Sequence, residues 1–129
     1  MNLNSTLRIS SSGMTAERFR LDVIAGNIAN ANTVRTGGKD PYRRRDVSLT
    51  ATDEGVQVTQ ILEDQRPFRQ VVEPGNPNAD PKTGVVTYSN VEPVEEMVNM
   101  IGASRAYEAN VQAINATRTM WNKALEIGR

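Results

Sequence analysis

The sequence contains neither cysteine nor histidine among its 129 residues. Without cysteine the chain cannot form disulfides, thiolate metal sites or cysteine nucleophiles. Histidine is the usual general base near neutral pH and the commonest transition-metal ligand, so its absence argues against catalytic triads and zinc sites. We therefore expect no metal, no cofactor and no enzymatic activity.

Aromatic residues are also scarce, with two Phe, one Trp and three Tyr. Burial must therefore come from aliphatic side chains or from neighbouring chains. Lys plus Arg equal Asp plus Glu at 15 each, so no net charge attracts nucleic acid or an anionic membrane. Apolar runs are far shorter than the roughly 20 residues that span a bilayer. We expect no nucleic acid, no membrane insertion, no small-molecule substrate and no cleaved signal peptide.

What the sequence does contain is helical periodicity at both ends. In the N-terminal stretch one position recurs every seven residues and holds Leu7, Met14, Leu21 and Ile28. The companion position of this seam holds Leu3, Ser10, Glu17, Ile24 and Ala31. The pattern predicts a helix with an imperfect seam, firmest over residues 14–31.

The C-terminal stretch begins near Pro93, which suits the first helical position, and Glu95 and Glu96 favour the same helix start. One seam position holds Met97, Ser104, Val111, Arg118 and Leu125. The other holds Met100, Tyr107, Ile114 and Trp121. We predict a helix over residues 93–127, capped by Gly128 and about 50 Å long, beside an N-terminal helix of about 40 Å.

Between the helices, Gly, Pro, Asn and Asp clusters separate short alternating runs at residues 42–50, 56–61, 68–72 and 85–88. Such runs predict a small antiparallel β module, too small to bury a core of its own. The predicted fold class is mainly α: long terminal helices in an antiparallel coiled-coil pair, with a β-rich middle facing outward. We predict three domains: the N-terminal helix (1–33), the middle module (34–91) and the C-terminal helix (92–129).

Two charged clusters have plain structural interpretations. The run Arg43-Arg44-Arg45 lies in a neutral chain beside Asp46, so we expect a solvated face or a subunit contact rather than a nucleic-acid site. A pair of carboxylates could in principle hydrolyse a glycan. However, residues 63–64 are predicted to form a turn, and the glutamates of residues 92–96 to form a helix start.

Two short segments carry the most specific pattern. Residues 27–33 read Asn-Ile-Ala-Asn-Ala-Asn-Thr, and residues 105–110 read Arg-Ala-Tyr-Glu-Ala-Asn after Met100-Ile101. Taken singly, the first fits a helix terminus and the second an ordinary coiled-coil surface. Together they resemble the flagellar axial family of rod and hook proteins. Residues 42–44, 67–69, 74–80, 94–98 and 123–128 resemble its proximal rod member, although the link 51–55 is shorter than in many relatives.

The resemblance implies a structural subunit of the bacterial flagellar basal body, in the rod that spans the periplasm. It further implies export by the flagellar type III apparatus without signal cleavage, and helical polymerisation with itself and other rod proteins to transmit torque. Two alternatives remain open: another axial subunit of the distal rod or hook, or a soluble coiled-coil secretion adaptor or chaperone. The predicted assembly interface comprises Leu7, Met14, Leu21, Ile24, Asn27, Ile28, Asn30, Asn32, Met100, Tyr107, Val111, Ile114, Trp121 and Leu125.

Overall fold

The computed structural model describes residues 2–128. Its elements, in chain order, are α1 (Leu3–Ala29), β1 (Arg45–Thr52), β2 (Gly55–Glu63), β3 (Arg69–Val72), β4 (Val85–Tyr88) and α2 (Pro93–Ile127). Within these residues no helix has the length and apolar character needed to cross a membrane. The predicted fold class, two long terminal helices with a small antiparallel β module between them, is confirmed.

Helix α1 begins where Asn2 caps it, because the Asn2 side-chain oxygen accepts a hydrogen bond from the Ser5 N–H at 2.8 Å. The stretch of Ser and Gly in residues 10–13, which lowers helix propensity, is helical throughout. The N–H of Asn30 donates to the carbonyls of Gly26 and Asn27 at 3.2 Å. The helix therefore ends at Ala29, within the specific segment of residues 27–33.

Helix α2 has the predicted bounds. Pro93 occupies the first turn, where its missing N–H costs nothing. At the other end the Gly128 N–H donates to the Ala124 carbonyl at 3.2 Å. With 35 residues against 27 in α1, α2 is the longer helix.

The two helices pack antiparallel through small and polar side chains. The end of α1 meets the start of α2, where Asn27 donates to Glu96, and Gly13 contacts the side chain of Asn110 further along. The buried residues of the two helices are Ser10, Gly13, Ala16, Ile24, Asn27, Glu96, Ala103 and Thr117. Small side chains let the backbones approach closely, so the bulkier residues flank the contact.

Within the chain, the seam prediction is wrong for Met97 and Arg118, whose side chains are exposed, whereas Ser104 and Val111 of the same seam position are half-buried. The buried stripe of α2 runs one position earlier in each heptad, through Glu96, Ala103 and Thr117. Met97 was assigned to the seam because its side chain is hydrophobic. The sequence does not reveal that the neighbouring Glu96 has buried hydrogen-bond partners. In α1 the predicted companion position is the buried one, at Ser10 and Ile24.

The β module consists of two separate hairpins. Strands β1 and β2 pair antiparallel, with a bulge between Ser48 and Leu49, and β3 pairs antiparallel with β4. The first hairpin packs on α1, where the Ser12 hydroxyl accepts a hydrogen bond from the Val56 N–H at 3.0 Å. Gly55 has a φ of 131° and lies against Ser12, a combination that requires glycine.

The second hairpin is tied to the loop that follows α1. The Arg35 N–H donates to the Thr87 carbonyl at 2.9 Å, and the Ser89 N–H donates to the Thr33 carbonyl at 3.0 Å. Val86 and Ser89 are fully buried there. The four predicted strands are confirmed, whereas the predicted division into domains at residues 33 and 91 stays a prediction.

Candidate functional site

A buried polar junction joins the end of α1, the start of β1 and the first turn of α2. Its centre is Asn27, which is fully buried. The Asn27 side-chain NH₂ donates to the Arg45 carbonyl and to Glu96 Oε2, both at 2.8 Å. The Asn27 side-chain oxygen accepts from the Tyr42 hydroxyl at 2.8 Å and from the Arg45 N–H at 3.0 Å. One amide thus satisfies both backbone groups of the first residue in β1.

The second buried pair of the junction is Arg44 with Glu96. Arg44 Nε donates to Glu96 Oε1 at 2.6 Å, and the Glu96 side chain is completely inaccessible. Glu96 therefore accepts from Asn27 with one oxygen and from Arg44 with the other. A buried carboxylate is tolerated only when it is paired and hydrogen-bonded in this way.

A ring of further contacts surrounds this pair. Asn90 accepts from the Arg44 N–H at 2.7 Å and donates to the Asp64 carbonyl at 3.0 Å. The Asp64 N–H in turn donates to the Arg44 carbonyl at 2.8 Å. Arg66 bridges Asp64 and Glu95, at 2.7 and 3.0 Å. These contacts attach the end of the first hairpin to the start of α2.

The electrostatics of the junction follow from this pairing. Burial lowers the pKa of the Arg44 guanidinium, but the hydrogen bond and charge of Glu96 outweigh it, so the pKa is raised overall. Burial raises the pKa of Asp64, yet hydrogen bonds from the Arg66 backbone and guanidinium lower it below its usual value. Burial also raises the pKa of Tyr42. All three shifts favour the protonation states that the hydrogen bonds require at neutral pH.

The expectation of a solvated face or subunit contact for the Arg43-Arg44-Arg45 run is wrong for Arg44. Its side chain is only 10% exposed and paired with Glu96. The Arg43 guanidinium lies over the Phe68 ring at 4.3 Å from its centroid, whereas Arg45 is exposed. Three consecutive arginines have three environments because the chain turns into β1 here.

Of the carboxylates considered as an acid/base pair, Asp64, Glu95 and Glu96 are held by cations or amides. Glu95 faces Arg66, and Glu96 faces Arg44 and Asn27. Within residues 2–128, no group of three or more acidic side chains could hold a metal ion. The chemistry of this arrangement is therefore ion pairing and hydrogen bonding within the fold.

The residues of the predicted assembly interface lie in three environments. Ile24 and Asn27 are buried within the chain. Nine are half-buried: Leu7, Met14, Leu21, Ile28, Asn30, Met100, Tyr107, Val111 and Ile114. Asn32, Trp121 and Leu125 are exposed. Asn30 caps α1 by donating to the Gly26 carbonyl at 2.8 Å. The role of these residues in assembly stays a prediction.

The exposure of Trp121 and Leu125 follows from the register of the two helices. Asn27 meets Glu96 and Gly13 meets Asn110, so both helices advance by the same number of residues between the contacts. In that register the start of α1 falls opposite residue 120 of α2. The last turns of α2 therefore extend beyond α1.

Sequence reasoning missed Arg44, Tyr42, Asn90 and Glu96 as members of one cluster. They come from four places in the chain, and no periodic pattern links them. One signal was present: a polar Asn at position 27, on the face of a helix that also carries Ile24. A polar residue within an apolar stripe indicates a buried hydrogen-bond network.

Comparison with known proteins gives consistent matches. A family model described as "Flagella basal body rod protein" matches residues 7–35, and one described as "Flagellar basal body rod FlgEFG protein C-terminal" matches residues 82–127. The chain is 42% identical to the flagellar basal-body rod protein FlgC of Escherichia coli, over the full length of both chains. It is 40% identical to FlgC of Bacillus subtilis, over 96% of this chain and 97% of that protein. FlgC of Salmonella typhimurium is 38% identical over both full lengths.

Proposed function

The chain belongs to the FlgC family of flagellar basal-body rod proteins and is a structural subunit of the flagellar rod; we propose that it builds the proximal rod, polymerising helically through its terminal helices to transmit torque. Its partners are further copies and other rod proteins. We propose that it reaches the rod through the flagellar export apparatus without signal cleavage, and that it acts by packing rather than catalysis.

The observation that carries this proposal is the apolar end of α2. Met120, Trp121, Leu125 and Ile127 are all large hydrophobic side chains exposed to solvent. Trp121 lies one heptad after Ile114 on the face of α2 that meets α1. The face of α2 that packs on α1 thus continues beyond the first residue of α1. A face of this kind is suited to packing against a neighbouring subunit.

The buried junction supports a mechanical role. Torque passes through a subunit only if its helices and its β module keep a fixed relative orientation. Arg44, Glu96 and Asn27 join these parts by short hydrogen bonds in a buried setting. Charge-assisted hydrogen bonds of this geometry are among the strongest in proteins. The proposed contribution of the junction is stiffness between the helix pair and the hairpins.

The test is a charge placed at the exposed end of α2. Trp121→Asp adds a charge at a position that is solvent-exposed in the isolated chain, so the fold and its thermal midpoint should change little. In the rod the same charge would be buried without a partner, and its desolvation should block incorporation. Motility and the amount of subunit in purified basal bodies are measured. Asn122→Asp adds the same charge at the next exposed residue and serves as the matched control.

Two outcomes would contradict the proposal. Normal motility and normal incorporation of Trp121→Asp would mean that this face is not packed in the rod. A chain that forms a small closed oligomer at high concentration, and is absent from basal bodies, would instead fit a secretion adaptor. Loss of incorporation for Trp121→Asp, with normal incorporation of Asn122→Asp, is the expected result.

A further inference from the structure

The methionines of residues 2–128 fall into two pairs that differ in exposure. Met97 and Met120, both on α2, are 53% and 58% exposed. Met14 of α1 and Met100 of α2 are half-buried. The thioethers of the first pair are therefore open to a reagent in solution, whereas those of the second pair are partly shielded by the fold.

These thioethers are the most readily oxidised groups of the chain. Cysteine is absent, so no thiolate competes with methionine for an oxidant. Methionine is oxidised to the sulfoxide, and access of the oxidant to the sulfur governs which residues react. A peroxide that meets the folded chain should therefore react first at Met97 and Met120.

Met120 lies in the exposed apolar end of α2, together with Trp121, Leu125 and Ile127. Oxidation places one oxygen on the sulfur and converts a flexible apolar side chain into a polar one. A polar oxygen that is buried among apolar side chains without a hydrogen-bond donor is costly. One added oxygen at Met120 thus changes the character of the surface that the proposed function packs against a neighbouring subunit.

We propose that Met97 and Met120 are oxidation sites of the unassembled chain, and that the sulfoxide at Met120 keeps an oxidised chain out of the rod; the second part rests on the proposed function. Hydrogen peroxide transfers one oxygen to the sulfur, so an S–O bond forms as the O–O bond breaks. The proton of the transferred oxygen passes to the leaving hydroxyl, which departs as water. The sulfur is oxidised by two electrons and the peroxide is reduced by two. Because methionine sulfoxide reductases reverse the oxidation, the exclusion is reversible.

Residue-specific oxidation of the full chain tests the first part. The purified chain is treated with hydrogen peroxide and digested, and mass spectrometry follows the sulfoxide fraction at each methionine. In the folded chain, Met97 and Met120 should be oxidised several-fold faster than Met14 and Met100. In urea, which unfolds the chain and exposes its side chains, the four rates should converge. Equal rates in the folded chain, or a difference that persists in urea, would overturn the assignment.

Substitutions at Met120 test the second part in flagellated cells. Met120→Gln imitates the polarity of the sulfoxide, whereas Met120→Leu keeps an apolar side chain of similar volume that cannot be oxidised. Thr119→Gln places the same side chain at the neighbouring exposed residue and is the matched control. The amount of Met120→Gln subunit in purified basal bodies should fall several-fold. Met120→Leu and Thr119→Gln should be incorporated as well as wild type.

Three outcomes would contradict the exclusion of the oxidised chain. If Met120→Gln is incorporated normally while Trp121→Asp is excluded, this inference fails and the proposed function stands. If both variants are incorporated normally, both fail. A thermal midpoint of isolated Met120→Gln well below that of wild type would show that Met120 is packed within the chain, and would overturn the inference as well.

Discussion

Arg44 and Glu96 are 52 residues apart in the chain and are joined in the fold by a 2.6 Å hydrogen bond between Arg44 Nε and Glu96 Oε1. Asn27 binds the other oxygen of Glu96. Three segments that belong to α1, the entry to β1 and α2 are thereby held at one carboxylate. The terminal helices and the β module are coupled through this buried group rather than through a large apolar core.

The first prediction concerns the ion pair itself. Glu96→Gln removes the buried counterion of Arg44 and leaves only its longer contacts with Asp46 and Asp64, at 3.7 and 3.6 Å, so it should lower the free energy of unfolding by up to about 3–5 kcal/mol. Arg44→Met leaves the carboxylate uncompensated and should cost a similar amount. The double variant Arg44→Met/Glu96→Gln removes both charges, so it should be more stable than the sum of the single losses predicts. Urea unfolding of all four proteins gives the coupling energy. Strictly additive losses would show that the two side chains do not depend on each other.

The second prediction separates shape from hydrogen bonding at Asn27. Asn27→Ala removes the partners of the Tyr42 hydroxyl and of both Arg45 backbone groups. At about 1–3 kcal/mol for each buried group left unpaired, the total loss should reach at least about 3 kcal/mol. Compared with wild type, the rate of amide hydrogen exchange should increase most at Arg45, whose N–H donates to Asn27.

Asn27→Asp is the matched variant, because it keeps the shape but cannot donate to Glu96. Two carboxylates within hydrogen-bonding distance cannot both remain ionised at low cost, so the pKa of one is raised. The sign follows from proton binding: the folded variant binds more protons than the unfolded chain, so its stability should increase as the pH falls from 7 to 5. A variant whose stability does not change over that range would contradict the assigned Asn27–Glu96 contact.

The third prediction concerns acid stability. The pKa of Asp64 in the folded chain is lowered from its usual 3.8, so the unfolded chain binds the proton more readily. The resulting stabilisation is present above pH 3.8 and is lost as the pH falls through the folded pKa. Asp64→Asn should remove this part of the acid sensitivity. Asp53→Asn removes a carboxylate in the exposed turn between β1 and β2, away from the junction, and serves as the matched control. Parallel profiles for wild type and Asp64→Asn below pH 4 would exclude the Arg66 contact as the cause.

Much of the fold was accessible from the sequence because its signals are local. Pro93 and Gly128 mark the ends of α2, and short apolar runs between Gly, Pro, Asn and Asp clusters mark the strands. These features act within a few residues, so periodicity and turn chemistry suffice to locate them. The helix lengths follow from the same signals.

The junction was not accessible in the same way because its contacts are distant in sequence. Glu96 was assigned to the helix dipole on account of its place in the first turn, and Arg44 to a solvated face or subunit contact on account of its charged neighbours. Each assignment is reasonable for a residue considered alone. Only the folded chain brings the two together, and the desolvation that makes the pair matter is a property of that arrangement.

The fourth prediction tests the close approach of the helices at Gly13. A Cβ at this position would lie 3.0 Å from the side-chain amide of Asn110, so Gly13→Ala must displace Asn110 or separate the helices. Gly26 has no atom within 4 Å of its Cβ position, and Gly26→Ala should gain up to about 1 kcal/mol from helix propensity.

The difference between the two alanine variants therefore isolates the packing contribution. Gly13→Ala should be less stable than Gly26→Ala, and Asn110→Ala should remove most of that difference in the double variant with Gly13→Ala, because the displaced group is gone. Thermal unfolding followed by circular dichroism measures wild type, the three single variants and the double variant. Equal stabilisation by Gly13→Ala and Gly26→Ala would mean that the helices are not in contact at Gly13. The helix register that places Trp121 and Leu125 beyond the first residue of α1 would then be wrong as well.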